Sequence, residues 1–120
     1  MKPQGFPATF RLRKRREFLR VQNGGQKHHT RHFLVFVAPP QRGAGPVRLG
    51  VTVTRKIGSA VVRNRIKRLV REAFRRVRQE FDAACDMVWV AKQSAGAVSY
   101  AEVLAAMESM VRRTSSGAGC

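Results

Sequence analysis

The chain has 120 residues, which is enough for one compact domain, since domains commonly run to about 100–150 residues. Its 24 Lys and Arg residues stand against seven Asp and Glu residues, and the formal net charge is +17. Because a compact body with this much like charge repels itself, the composition favours a polyanionic partner, and nucleic acid first. No apolar stretch approaches the roughly 18 residues of a membrane span, and Met1–Thr9 lacks the apolar core of a secretory signal, which predicts a cytoplasmic protein.

The N-terminal part of the chain predicts an irregular segment followed by one helix. Met1–Thr9 contains two prolines and a glycine, which favour irregular backbone. Arg15–Gln22 then places its apolar side chains at helical spacing, and the sequence Asn23-Gly24-Gly25 ends that helix.

Four segments predict β-strands. His32–Ala38 is rich in β-branched and aromatic residues, and the prolines that open the loop Pro39–Pro46 end it. Arg48–Thr54 alternates apolar and polar residues, which is typical of a strand with one buried face. Met87–Ala91 is continuously apolar and includes a tryptophan expected in the core. The weakest strand is expected within Gln26–Arg31.

Two helices are predicted in the second half of the chain. From Ser59 to Phe81 the apolar residues recur at a period of 3.6, which predicts a long helix with one apolar stripe. A last helix begins at Ser99, with Glu102 at the spacing of a capping box, and continues through Val111.

This order of elements predicts a single-domain α+β sandwich, with one sheet of about four strands and helices packed on one face. The domain is expected to cover residues 10–113, between the irregular segment 1–9 and a flexible C-terminal tail, 114–120.

The exposed face of the long helix is unusually basic. Successive residues of a helix are about 100° apart, so placing Ile66 and Val77 at the centre of the buried face determines which residues lie on the opposite face. It consists of Asn64, Lys67, Arg68, Arg71, Arg75 and Arg78. Glu72 is the only acidic residue between Arg55 and Arg78, and like charges at helical spacing are destabilising. A ridge that binds phosphates explains this pattern better than an ordinary solvated face does, and arginine suits phosphate oxygens and bases.

The sequence predicts neither a protein active site nor a metal site. Hydrolysis of a phosphodiester by a protein usually needs paired carboxylates or a histidine acid–base pair, and the seven acidic residues are scattered. His28, His29 and His32 lie close together, but no cysteine or carboxylate nearby completes a metal site. They are expected at a polar strand edge near RNA.

Two adjacent motifs resemble those of a known protein family. Leu49–Val62 is LGVTVTRKIGSAVV and Arg63–Phe74 is RNRIKRLVREAF, and together they closely resemble the bacterial ribonuclease P protein component. The resemblance extends over Phe10–Arg113. It implies an α+β fold similar to domain 2 of ribosomal protein S5, with a left-handed βαβ crossover that departs from the usual hand.

The resemblance implies the protein subunit of a ribonucleoprotein endonuclease that matures the 5′ ends of tRNA, with one protein for each RNA subunit. The RNA subunit is the catalyst and uses bound Mg²⁺, whereas the protein alone is not catalytic. The protein would contact the catalytic RNA and the single-stranded 5′ leader of precursor tRNA, and would broaden the substrate range.

The functional positions of that family can be matched in this sequence. Those on the catalytic-RNA side are Arg63, Asn64, Arg65, Lys67, Arg68 and Arg71. Those of the leader-binding cleft are Phe18, Phe36, Lys56 and Arg55. Aromatic side chains suit single-stranded RNA because every base has a face to stack on, although the residues alone would favour core packing for both phenylalanines. Gln22 occupies a cleft position that is often aromatic, and the basic run Arg11–Arg16 is expected to flank the cleft.

Two other classes of protein remain alternatives. A small basic ribosomal or other ribonucleoprotein structural protein would share the size and charge, although such proteins often carry long basic tails. A peripheral membrane protein would need exposed apolar residues opposite its basic helix face, whereas this stripe is required for the core.

Overall fold

The computed structural model describes residues 11–40, 46–81 and 84–115, which form three α-helices and four strands. The helices are α1 (Arg15–Gly24), α2 (Ala60–Val77) and α3 (Tyr100–Ser115). The strands are β1 (Gln26–His29), β2 (Phe33–Ala38), β3 (Arg48–Thr52) and β4 (Asp86–Ala91). The predicted irregular segment 1–9 and most of the predicted tail lie outside the described residues, as do 41–45 of the predicted loop.

The four strands form one mixed sheet in the order β1-β2-β4-β3. β2 is antiparallel to both β1 and β4, whereas β3 and β4 are parallel. α2 connects these two parallel strands and completes a βαβ unit. The α+β class, the four strands and the weak first strand are therefore confirmed.

The larger core lies between the sheet and the pair α2 and α3. Strand residues that alternate along β2 and β4 point into it, including Phe33, Val35 and Trp89, whose burial confirms its predicted core position. The rings of Phe33 and Trp89 meet edge to face, with centroids 5.2 Å apart. From α2, the stripe containing Ile66 and Val77 closes this layer, as its period predicted.

The expectation that helices cover one face is correct for α2 and α3 but wrong for α1. α1 packs on the opposite face, where Val21 joins Ala38 and Val88 in a second apolar cluster. The half-buried Phe18 and Phe36 lie against that cluster. The reason is that β2 and β4 are apolar on both faces, so the second face also requires a cover.

Local hydrogen bonds set the ends of the elements. Ser59 caps α2 by accepting a hydrogen bond from the backbone N–H of Val62, 3.4 Å away. At the end of α1 a Cβ on Gly25 would lie 2.5 Å from the carbonyl oxygen of Val21, so only glycine fits this turn. α3 includes Thr114, whose hydroxyl donates to the carbonyl of Met110 at 2.9 Å. This threonine is 2% exposed, and the predicted tail therefore begins too early.

Candidate nucleic-acid interface

α2 presents the basic ridge that its sequence predicts. Asn64 and Arg68 are exposed, and the other four members of the predicted face are half-buried. They are Lys67, Arg71, Arg75 and Arg78. The first turn of the helix contains no acidic residue. Cations near a helix N-terminus oppose its dipole, as Arg63 does in the first turn, whereas Arg75 in the last turn interacts favourably with it.

The three residues of the Arg-Asn-Arg motif do not share one environment. Asn64 is exposed and Arg63 is half-buried. Arg65 donates from Nη2 to the carbonyl oxygen of Val98 at 2.7 Å, which ties α2 to the segment that precedes α3. Arg65 therefore holds the fold together whatever it contributes to a ligand.

A cavity of about 260 Å³ lies where the first described residues, β3 and α2 meet. Its lining consists of Arg11, Leu12, Arg13, Phe18, Leu49, Gly50, Val51 and Arg71. A Cβ on Gly50 would lie 2.6 Å from Cζ of Phe18, so glycine lets this ring approach β3 closely. The cavity thus joins an aromatic ring of α1 to a cation of the α2 ridge.

The electrostatics of this cavity favour an anion. Burial lowers the pKa of Arg71, and the nearby charge of Arg11 lowers it further. Both effects destabilise the cationic form of Arg71, because burial removes its hydration and Arg11 repels it. Among the described residues that line the cavity none carries a carboxylate, so a phosphate there would relieve both penalties.

The four predicted cleft residues do not come together in one cavity. Phe18 lines the cavity beside Arg71, whereas Phe36, on β2, packs against the apolar cluster on the α1 side of the sheet. The ammonium group of Lys27 is 5.9 Å from the centroid of the Phe36 ring. Arg55 and Lys56 are exposed in a short 3₁₀ turn after β3. Gln22 is half-buried on α1.

Sequence reasoning missed an ionic network that holds α1 to the sheet. Asp86, the first residue of β4, is 0% exposed and accepts two hydrogen bonds from Arg48, at 3.0 Å from Nε and 2.9 Å from Nη2. Arg20 of α1 pairs with the same carboxylate. Nη1 of Arg48 donates to Glu17 at 3.1 Å, so both α1 residues are tied to β3 and β4. An acid directly before a buried apolar strand was the available signal, because it needs a partner.

The network also shifts the pKa values of its members. Burial raises the pKa of Glu17, but the backbone N–H groups of Arg13 and Lys14 and the guanidinium of Arg48 lower it below the usual value overall. Hydrogen bonding to Asp86 raises the pKa of Arg48, against desolvation. Both groups are therefore held in their charged forms.

The three histidines lie at the opposite edge of the sheet from β3 and do not assemble a metal site. Within residues 11–40, 46–81 and 84–115, no three His, Cys, Asp or Glu side chains group as metal ligands. His32 contacts Ser94 Oγ through Nδ1 at 2.9 Å and Glu102 through Nε2 at 3.2 Å. The helices of this described part are also too short or too polar to cross a membrane.

Comparisons with known proteins agree with this architecture. The sequence model of the ribonuclease P family matches residues 6–115. The chain is 46% identical over 109 residues to the ribonuclease P protein component of Desulfovibrio desulfuricans, covering 89% of this chain and 84% of that protein. It is 43% identical over 103 residues to that of Syntrophus aciditrophicus, covering 86% and 85%.

Solved structures give the same result. The ribonuclease P protein from Thermotoga maritima superimposes with a TM-score of 0.76 at 32% identity, covering 86% of this chain and 96% of that one. The protein from Staphylococcus aureus gives a TM-score of 0.76 at 30% identity, covering 88% and 94%.

Proposed function

Because this chain belongs to the ribonuclease P protein family, we propose that it binds the catalytic RNA of ribonuclease P and the single-stranded 5′ leader of precursor tRNA. It would thereby assist the Mg²⁺-dependent endonucleolytic removal of the leader and broaden the range of substrates. The holoenzyme would contain one protein for each RNA subunit and act in the cytoplasm. The observation that carries this proposal is the junction of a basic ridge with a cationic, aromatic-lined cavity at Arg71.

The ridge is the surface proposed for the catalytic RNA. Its exposed Arg68 and the neighbouring cations would neutralise phosphates, and each guanidinium can donate to two oxygens of one phosphate. Asn64 and Arg63 lie in the first turns of the same helix and would extend the contact towards Lys56 and Arg55. Arg65 would contribute charge while it remains tied to Val98.

The cavity is proposed for a nucleotide of the leader. Its arginines would hold a phosphate, and the ring of Phe18 would offer a stacking surface. Phe36 lies beyond the cavity on the same side of the sheet and would serve the next part of the strand. Gln22 would offer hydrogen bonds where a ring is common in the family, so base stacking is expected to depend more on Phe18.

The chemical step is assigned to RNA. Mg²⁺ prefers oxygen ligands in octahedral geometry and is commonly bound through phosphates. The phosphates of the RNA subunit and the substrate would supply those ligands. The protein would position the leader and neutralise charge, without acting as an acid, a base or a nucleophile.

Reconstitution tests the proposal. The protein is mixed with its own ribonuclease P RNA and a precursor tRNA at a Mg²⁺ concentration where the RNA alone is slow. We expect cleavage of the leader to accelerate, and no cleavage by the protein alone. Tight RNA binding with an unchanged cleavage rate would favour the alternative of a ribosomal or other ribonucleoprotein structural protein.

Salt dependence tests the ridge. Arg68→Ala is expected to weaken binding to ribonuclease P RNA and to reduce the slope of log K against log salt by about 0.7–0.9, the amount for one lost phosphate contact. Arg76→Ala removes an equal charge from an exposed position outside the proposed site and serves as the control. An unchanged slope for Arg68→Ala would place this residue away from phosphate.

A further inference from the structure

Three turns meet at one end of the sheet, where β2 begins and β3 and β4 end. The side-chain Nε2 of Gln93, which follows β4, donates to the carbonyl oxygen of Lys56 at 3.1 Å. The residues before and after Gln93 bond to the turn between β1 and β2. The ammonium group of Lys92 donates to the carbonyl oxygen of Thr30 at 2.8 Å. Ser94 Oγ donates to the carbonyl of Arg31 at 3.3 Å. These bonds join the turn after β3 to the turn between β1 and β2.

The result is a continuous polar edge, here called the sheet-end rim and consisting of Arg55, Lys56, Gln93, Ser94 and Arg31. All five residues are exposed. The rim starts next to the first turn of α2 and crosses the end of the sheet from β3 to β1. Neighbouring strands are roughly 4.8 Å apart, so these three strand spacings amount to about 15 Å. The rim is therefore continuous with the surface proposed for RNA.

A second cavity, here called the α3 groove, lies at the β1 end of the rim. It has a volume of about 510 Å³ and separates α3 from the turn between β1 and β2. Phe33, Ala105 and Ala106 provide apolar lining, while Arg31, Arg113 and His29 provide polar lining. An apolar floor with a cationic edge matches the chemistry of a nucleotide, which has a flat base and an anionic phosphate.

Among the described residues that line the α3 groove, the one carboxylate is already engaged. Oε1 of Glu102 accepts from the backbone N–H of Ser99 at 3.0 Å, while Oε2 lies 3.2 Å from Nε2 of His32. Arg31 is 4.0 Å from that carboxylate and has a side chain that is 83% exposed. Arg113 is held by a 3.2 Å hydrogen bond from Nη1 to the carbonyl of His29. Cationic groups thus dominate the groove edge.

We propose that the α3 groove binds a nucleotide of the RNA whose strand runs along the sheet-end rim, with Arg31 and Arg113 at its phosphate and the accessible Ala105 and Ala106 against its base or ribose. This inference rests on the proposed function and adds a second RNA contact on the side of the sheet opposite to α1. The strand comes either from the catalytic RNA or from precursor tRNA, since both present the same chemistry.

Binding measurements on the full chain test the charge. Dissociation constants are measured over a range of salt with ribonuclease P RNA alone, and then for the holoenzyme with precursor tRNA. Arg31→Ala is expected to weaken one of the two by about threefold to tenfold and to lower its salt slope by about 0.7–0.9. Arg31→Lys keeps the charge and should keep the slope, and Arg76→Ala again serves as the charge-matched control. The affinity that changes identifies the source of the strand.

A steric pair of variants tests the α3 groove itself. Ala105→Phe fills the cavity without changing charge, and it should weaken the same affinity by about tenfold with an unchanged salt slope. Ala101→Phe adds the same ring to an exposed α3 position that does not line the groove, and should leave binding unchanged. Thermal unfolding of both variants is recorded to confirm that α3 remains folded.

The outcomes separate this inference from the proposed function. If Arg31→Ala behaves like Arg76→Ala and Ala105→Phe like Ala101→Phe, while Arg68→Ala still weakens binding, the α3 groove is not an RNA site and the proposed function stands. If Arg68→Ala also has no effect on RNA binding and the protein does not accelerate leader cleavage in the reconstitution, the α2 ridge and the proposed function both fail.

Discussion

The two faces of the sheet are covered by different means. On the α2 and α3 side, 22 of the described residues form one buried apolar cluster. On the α1 side the corresponding cluster has four buried residues, Leu12, Val21, Ala38 and Val88, and it is supplemented by the ionic network around Asp86. The first face carries most of the apolar burial, and the cavity proposed for the leader lies at the β3 edge, between Phe18 of α1 and Arg71 of α2.

The difference shows how a small domain can keep an open cleft on a stable sheet. Apolar burial is non-directional, so it holds layers together without fixing one helix at one angle. Ion pairs with hydrogen bonds are directional, and they tie Glu17 and Arg20 to fixed points on β3 and β4. α1 can therefore be positioned with little burial, which leaves Phe18 and Phe36 accessible for a ligand.

The largest expected effect comes from the apolar face. Trp89→Ala removes the largest fully buried side chain and its edge contact with Phe33. We expect a loss of about 4 kcal/mol in the free energy of unfolding, measured by urea denaturation. Val61→Ala, at a position 78% exposed, should change it by less than about 0.5 kcal/mol. A similar result for the two variants would contradict the assignment of the main core.

The next effect tests the ionic face. Asp86→Ala leaves the guanidinium groups of Arg48 and Arg20 without their shared carboxylate, and breaking a buried pair of this kind costs about 3 kcal/mol. Affinity for precursor tRNA should also fall more than affinity for leaderless tRNA, because α1 loses its position.

Glu17→Gln serves as the comparison, since it removes the charge pair with Arg48 while the amide oxygen can still accept from the backbone N–H groups of Arg13 and Lys14. It should destabilise the protein less than Asp86→Ala does. A loss below about 1 kcal/mol for Asp86→Ala would show that apolar contacts alone position α1.

The same contrast explains what could be predicted from the sequence. The long helix and the alternating strand that begins at Arg48 follow from periodicity, which records burial on one face, and Ser99 and Glu102 were recognisable from capping-box spacing. The side of the sheet taken by α1 could not be derived, because it depends on Arg20 and Arg48 reaching an aspartate far along the chain. The family resemblance placed Arg65 among the residues on the catalytic-RNA side but could not show its bond to Val98.

A smaller effect is expected at the cavity floor. A Cβ at Gly50 would meet two atoms of the Phe18 ring at 2.6 and 2.7 Å, so Gly50→Ala must displace the ring. We expect a loss of about 1 kcal/mol in stability, typical of mild overpacking, together with weaker binding of precursor tRNA. Gly96→Ala is the matched control, because its Cβ would have an ordinary 3.6 Å contact. Equal tRNA affinities for the two variants would exclude a role for the position of the Phe18 ring.

The smallest effect is a pH dependence that distinguishes the two faces. Burial lowers the pKa of His28, and the charge of Arg113 lowers it further. When the pH drops below 6.5, the ordinary pKa of this group, the unfolded chain therefore binds more protons than the folded chain does. Stability must therefore fall as the pH drops through this range. The lowered pKa values of Glu17 and Glu102 act in the same direction, but below their ordinary value of 4.5. His28→Gln should remove only the first decrease in melting temperature, on the α3 side, and Glu17→Gln should reduce only the second. If His28→Gln left the first decrease unchanged, another group would account for it.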